Sequence, residues 1–160
     1  MATRSTIALE FADGTIGQVY CHWDGYLAHN GEMLKEYYSN PFVLRDLIDL
    51  GSLSSLRPTI GTKHPFSMFE ANMTQDEYAN LYRDMTTFYG RDRGEGQYEA
   101  TYFKDYEHFL IDGQEEEYDY ILRNVNGKAT WFVSDHGGDF QLLTVALIEE
   151  ILENVEVLPL

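Results

Sequence analysis

Apolar and polar residues alternate over positions 5–11, with Ile7, Leu9 and Phe11 on one side and Thr6, Ala8 and Glu10 on the other. That period of two is the pattern of a half-buried strand. Asp13-Gly14 follows, a dipeptide that tolerates positive φ at both positions and predicts a hairpin, with a return strand over 15–23. A second alternating pair sets Tyr118, Tyr120 and Leu122 against Trp131 and Val133, with Asn126-Gly127 as the turn between them. Tyr98 to Phe103 reads as one further strand.

Helical spacing governs the rest. His29 or Asn30 caps a short helix through Tyr38 with Met33, Leu34 and Tyr37 inward. Asn40 as N-cap with Pro41 in the first turn opens another, where Val43, Leu44, Leu47, Ile48 and Leu50 recur on one face and Gly51 stops it. Thr74 and Glu77 form a capping-box pair, followed by an apolar stripe of Tyr78, Leu81, Tyr82, Met85 and Tyr89 up to Gly90. A short helix is expected near 105–110. A last one is expected over 139–154, capped at Asp139, burying Phe140, Leu143, Leu147, Ile148 and Ile151. Residues 52–73, broken by Pro58, Gly61 and Pro65, read as irregular. Hairpins and helices without strand–helix–strand alternation predict an α+β fold: a mainly antiparallel sheet of four or five strands with helices on one face. At 160 residues the chain suits one domain, residues 1–160.

Charge changes the picture more than composition does. The net charge is −16, with 13 acids against 8 bases over 1–97 and 14 against 3 over 98–160. Nucleic acid and anionic membranes require cationic groups, so a field of this sign disfavours both and favours a basic protein partner. Asp112, Glu115, Glu116, Glu117 and Asp119 form the densest acidic run, and Glu149, Glu150, Glu153 and Glu156 line the last helix. Tyr118 and Tyr120 are candidate aromatic anchors beside them, a residue type favoured at interface hot spots. Two such ridges can imitate a row of phosphates; the plainer reading is a solvated, solubilising face. One cysteine, a polar opening at Met1–Ser5 that predicts no signal peptide, and no apolar run long enough to span a bilayer point to a cytoplasm.

The stretch Y-C-H-W-D-G-Y, residues 20–26, concentrates chemistry-bearing residues. Alternation puts Cys21 and Trp23 on the core side, so a buried cysteine is the expectation. Tyr20, His22 and Asp24 face the other way. His22 and Asp24 together with Asp135, His136 and Asp139 would make a His₂Asp₂-type metal set if the two hairpins converge; otherwise these residues cap and turn the backbone. No phosphate loop, nucleophile elbow, zincin motif or cysteine pair is present.

M-A-T-R-S-T-I, D-G-T-I, Y-C-H-W-D-G-Y, H-N-G, L-K-E-Y-Y and L-I-D-L-G-S-L-S-S-L, with F-L-I-D-G-Q-E-E-E-Y-D-Y-I and W-F-V-S later, resemble a family of small proteins recurrent in bacteriophage and prophage genomes. The resemblance spans some two-thirds of the chain and omits 57–97. It implies a phage accessory protein in a host bacterial cytoplasm and carries over no catalytic residue or cofactor. Joined to the charge, it leads to the expectation of a binding protein that inhibits a host restriction, CRISPR or other nucleic-acid-processing factor through a basic surface. The alternative is a metal-dependent hydrolase of a nucleotide or signalling molecule. The many tyrosines also leave a homodimer open.

Overall fold

The alternating residues at the N-terminus pair as expected. In the computed structural model, which describes residues 2–96 and 98–149, β1 (Ser5–Glu10) runs antiparallel to β2 (Ile16–Cys21), with Ile7 opposite Val19. The connection differs from a two-residue turn. Gly14 has a φ of +89°, whereas Asp13 keeps negative φ and accepts hydrogen bonds from Thr15 N and Oγ1 at 3.0 and 2.6 Å. Phe11 N donates to Thr15 O at 2.8 Å, closing a three-residue loop of the kind that ends on a left-handed glycine.

The second hairpin is β6 (Tyr118–Val125) with β7 (Lys128–Asp135), turned by Asn126 and Gly127 at φ +53° and +84°. Both signs are those a type I′ turn demands. β6 lies parallel to β1, Ile7 beside Tyr120, so the acidic half is built into the same sheet as the N-terminal hairpin.

Short strands extend the sheet on both sides. Among the described residues there are eight, in the order β4-β3-β2-β1-β6-β7-β8, with β5 (Thr101–Phe103) on the outer edge of β2. β3 (Leu53–Ser55) continues that edge in parallel through Leu53 and Cys21, and β4 (Thr87–Phe88) joins β3. The sheet is therefore mixed and larger than the expected four or five mainly antiparallel strands.

Helices cover both faces, not one. Ile7, Leu9, Val19, Tyr120, Leu122, Trp131 and Val133 form one inner face. Over it lie a π-helical turn (Leu27–Gly31), α1 (Glu32–Tyr37) and α2 (Pro41–Asp49). Asn40 caps α2 through Phe42 N at 2.9 Å, and Leu44, Leu47 and Ile48 are buried. In α1 the inward residues are Leu34 and, just past its end, Tyr38; Tyr37 is exposed because the π-turn shifts the helix phase. The other face buries Ala8, Ile16, Phe103 and Ile121 under Phe109 of α6 (Tyr106–Asp112).

Two helix predictions shift. Between β3 and β4 lie α3 (Met68–Ala71) and α4 (Gln75–Tyr82), and α5 (Tyr89–Arg93) follows β4. The Thr74–Glu77 capping box forms, but α4 ends at Tyr82 and buries none of its residues; Leu81 is 58 % exposed. The final helix does not start at Asp139. Residues 141–142 form β8 against β7, and Thr144 caps a helical stretch over 145–149 through Leu147 N at 3.1 Å. Ile151 and Glu150, Glu153 and Glu156 lie outside the described residues.

Candidate functional site

The proposed metal ligands do not converge. Residues opposite one another across the sheet run Cys21, Ser5, Tyr118, Asp135. Three strand spacings of about 4.8 Å separate the end of β2 from the end of β7, roughly 14 Å of sheet. Past β2 the chain leans away toward β3: His22 N and Trp23 N donate to Leu53 O and Ser54 O at 3.1 and 3.0 Å. His22 Nδ1 bonds Tyr20 Oη at 2.7 Å, and burial holds the imidazole below its usual pKa. Asp24, at φ +59°, turns the chain. At the far end His136 hydrogen-bonds Asp135, which raises its pKa, and Asp139 is exposed. Among the described residues no group of three or more His, Cys, Asp or Glu side chains is placed to hold a metal ion.

Cys21 is buried, and burial pushes its thiol up to about 11. It touches Asn30 Nδ2 at 3.4 Å inside the core, so it lacks the thiolate that nucleophilic attack requires. Trp23 is not a core residue: it is 43 % exposed and stands edge-on to His22 at 4.7 Å.

The acidic run is a strap across the second sheet face. One row of that face is polar from strand to strand: Tyr20, Thr6, Asp119 and Ser134. Residues 113–117 cross it. Gln18 Nε2 donates to Gly113 O at 2.8 Å and to Thr6 Oγ1 at 2.9 Å, and Gln114 Nε2 to Ser134 Oγ at 2.8 Å and Gly138 O at 2.7 Å. Asp119 Oδ1 accepts from Thr6 Oγ1 at 2.6 Å and Glu116 N at 3.4 Å, while Oδ2 is buried without a partner. Asp119 and Tyr120 are fully buried, so neither can face a partner; strand alternation sends them to opposite faces of the sheet, both of them covered, Asp119 under the strap and Tyr120 into the helix-covered core, where its Oη donates to Gly25 O at 2.6 Å.

The remaining members of the run are outside or at the rim. Asp112 and Glu115 are exposed, and Glu116, Glu117 and Tyr118 are half-buried. Burial raises the Glu116 carboxyl, with Arg4 opposing it. Glu149 is exposed and shares a groove of about 460 Å³ with Glu32, Glu36 and Lys35. Arg4 is the cation beside the strap, its backbone N donating to Glu117 Oε1 at 3.4 Å. Arg123 is committed elsewhere, to Glu10 at 3.1 Å and over the Tyr106 ring at 3.5 Å, and Lys128 stands at the opposite hairpin end of β7.

A second hollow lies at the β3–β4 edge of the sheet, between Trp23, β3 and α4. Trp23, Ser55, Arg57, Gln75 and Tyr78 line it, with Tyr82 and Arg83 beyond. Its back wall is a fixed network. His64 Nδ1 donates to Thr62 O at 2.8 Å, His64 Nε2 accepts from Thr87 Oγ1 at 3.0 Å, and buried Asp92 accepts from His64 N, Phe88 N and Arg91. The signal in the sequence was Tyr78 and Tyr82 at i, i+4, which reads equally well as a core stripe.

Against known proteins, no family model, no curated protein and no solved structure matches this chain.

Proposed function

We propose that this protein works by binding: its acidic strap docks on a basic surface of a host protein and blocks it, as a phage accessory inhibitor of a defence or nucleic-acid-processing factor would. The observation that carries the reading is charge segregation. Asp112, at the end of α6, adjoins a strap carrying Glu115, Glu116 and Glu117 that is pinned by Gln18 to Gly113, by Gln114 to Ser134 and Gly138, and by Glu116 N to Asp119; Arg4 is the cation beside it, while Arg123 is paired with Glu10 and Lys128 stands at the other end of β7. A pinned acidic segment meets a partner with little further loss of conformational freedom, and the field guides encounter with a cationic channel. Occlusion of this kind needs no chemistry and imitates the charge of a nucleic acid backbone without its bases.

The test is capture of bacterial host proteins at low salt and at about 0.5 M salt, where the Debye length falls to roughly 4 Å. The expected result is a stoichiometric basic partner that is lost at high salt and lost to the double variant Asp112→Lys, Glu115→Lys. The same purified partner should lose its own nucleic-acid binding when this protein is added. Retention that neither salt nor charge reversal alters would overturn the proposal.

A further inference from the structure

The hollow at the β3–β4 edge of the sheet contradicts the charge of the whole. It consists of two adjoining cavities of about 510 and 340 Å³ that share Ser55, Arg57, Gln75 and Tyr78, sizes typical of small-ligand sites, about 300–1,000 Å³. Arg57 stands on the shared wall and Arg83 in the smaller cavity. In a chain with 27 acids and 11 Lys and Arg, Arg91, Arg93 and Arg123 form ion pairs with carboxylates, and the remaining Lys and Arg do not among the described residues. Arg57 and Arg83 pair with no carboxylate among the described residues; their guanidinium bonds go to Leu56 O at 2.8 Å and Asn80 Oδ1 at 2.9 Å. Asp24 is the acid that lines the cleft, in the larger cavity beside Trp23.

The cleft is also stiff. The Arg57 backbone is held by Tyr38 Oη at 2.6 Å and by Thr86 Oγ1 at 2.9 Å. Tyr78 Oη donates to Pro65 O at 2.7 Å; its ring lies 5.1 Å from that of Tyr82, which stacks on His64 at 5.2 Å. Trp23, 43 % exposed, lines the larger cavity together with Tyr78. Unpaired guanidinium groups suit an anion with several acceptor oxygens, and an exposed indole beside a fixed tyrosine suits a flat ring.

We propose that this cleft binds a nucleoside monophosphate, its phosphate in the Arg57–Arg83 cavity and its base against Trp23. A polynucleotide is disfavoured because a net charge of −16 repels a polyanion along its whole length. A single phosphate responds mainly to charges within about 8 Å at physiological salt. The site is separate from the acidic strap and does not depend on it.

Fluorescence of Trp23 reads the test, because Trp131 is only 3 % exposed. AMP, GMP, CMP and UMP are titrated to about 5 mM, past the weak end of the small-ligand range. At least one should give a saturable change that Trp23→Phe abolishes. Adenosine or the matching nucleoside, and inorganic phosphate alone, should each bind about tenfold more weakly or worse, having lost one of two contacts. Arg57→Gln and Arg83→Gln should each cost about the same factor. Arg83 is exposed, so its variant keeps the test decisive if Arg57→Gln fails to fold. No saturable response to any of the four, inorganic phosphate binding as tightly as the nucleotide, an oligonucleotide binding more tightly than its monomer, or Arg83→Gln without effect would each overturn the proposal.

Discussion

Asp119 has one carboxylate oxygen bonded and the other enclosed without a partner. Burial pushes its carboxyl up to about 6 from 3.8; the bonds from Thr6 and from the Glu116 and Glu115 amides pull the other way, and the Glu116 charge adds to the rise. The folded state therefore holds this proton more tightly than the unfolded chain does. Its contribution to stability is fullest below about 3.8, declines as pH rises toward about 6, and stays low above that. The gap between the two values corresponds to about 3 kcal/mol at most. Asp119→Asn keeps an acceptor for Thr6 and cannot ionise. Urea unfolding of both proteins should show the wild type gaining about 2–3 kcal/mol on the variant between pH 7 and pH 4. Comparison with the variant is essential, because relief of self-repulsion stabilises both proteins alike on acidification. A difference that stays flat with pH would show that Asp119 is already paired in the folded state.

Among the elements, Y-C-H-W-D-G-Y owes its position to Gly25 as much as to strand alternation. Gly25 N donates to Thr3 O at 2.8 Å, and a Cβ placed there would stand 2.7 Å from Ser5 Cβ and 2.9 Å from Thr3 O. Gly25→Ala should cost about 1–3 kcal/mol in urea unfolding through this overlap. Gly96→Ala, where a Cβ meets nothing within 4 Å, should stay within about 0.5 kcal/mol; equal midpoints would mean that the Thr3–Gly25 contact yields freely. The same contrast between local and tertiary causes explains what was legible in the sequence. The β6–β7 hairpin, the Asn40–Pro41 cap and the Thr74–Glu77 box are written in neighbouring residues, and all three form. β3, β4 and β8 are two or three residues long, too short to show a period, and exist because a partner strand offers its backbone. The α4 stripe has helical spacing but packs at the periphery, since the sheet face it would cover is already taken by α1 and α2. Thr144 replaced Asp139 as a cap because β7 captured the intervening residues as an edge strand. The acidic run was visible as composition, but the burial of both Asp119 and Tyr120 became clear only from the cover on both faces of β6. The Arg57 cleft gathers residues from 23 to 87, and its one local trace, Tyr78 and Tyr82 at i, i+4, reads equally well as a core stripe.

At the scale of the molecule, a net charge of −16 acts on stability and on association with opposite signs. Within the fold the acids repel one another, most strongly where Glu115, Glu116 and Glu117 share a strap with Asp135 nearby across the β6–β7 pair. Added salt screens that repulsion and should stabilise the folded chain, while the same screening would weaken attraction to the proposed basic partner. Raising NaCl from about 0.02 to 0.5 M shortens the Debye length from roughly 20 Å to roughly 4 Å. A gain on the order of 1 kcal/mol would lift Tm by about 2–4 °C for a chain of this size. Sodium sulfate at the same ionic strength separates screening from strengthened apolar burial, since sulfate acts on both. Screening predicts that the two salts coincide at low ionic strength and part only at high, with most of the NaCl gain complete by about 0.15 M, where the Debye length is already near 8 Å. The charge-reversed double variant Asp112→Lys, Glu115→Lys supplies the internal check. It reduces the magnitude of the net charge of −16 by four, so its Tm should start higher at low salt and rise less. A Tm that is independent of NaCl, or a variant with the same salt slope as the wild type, would mean that the acids are already separated enough not to strain the fold. In that case the strap's charge would bear on association alone.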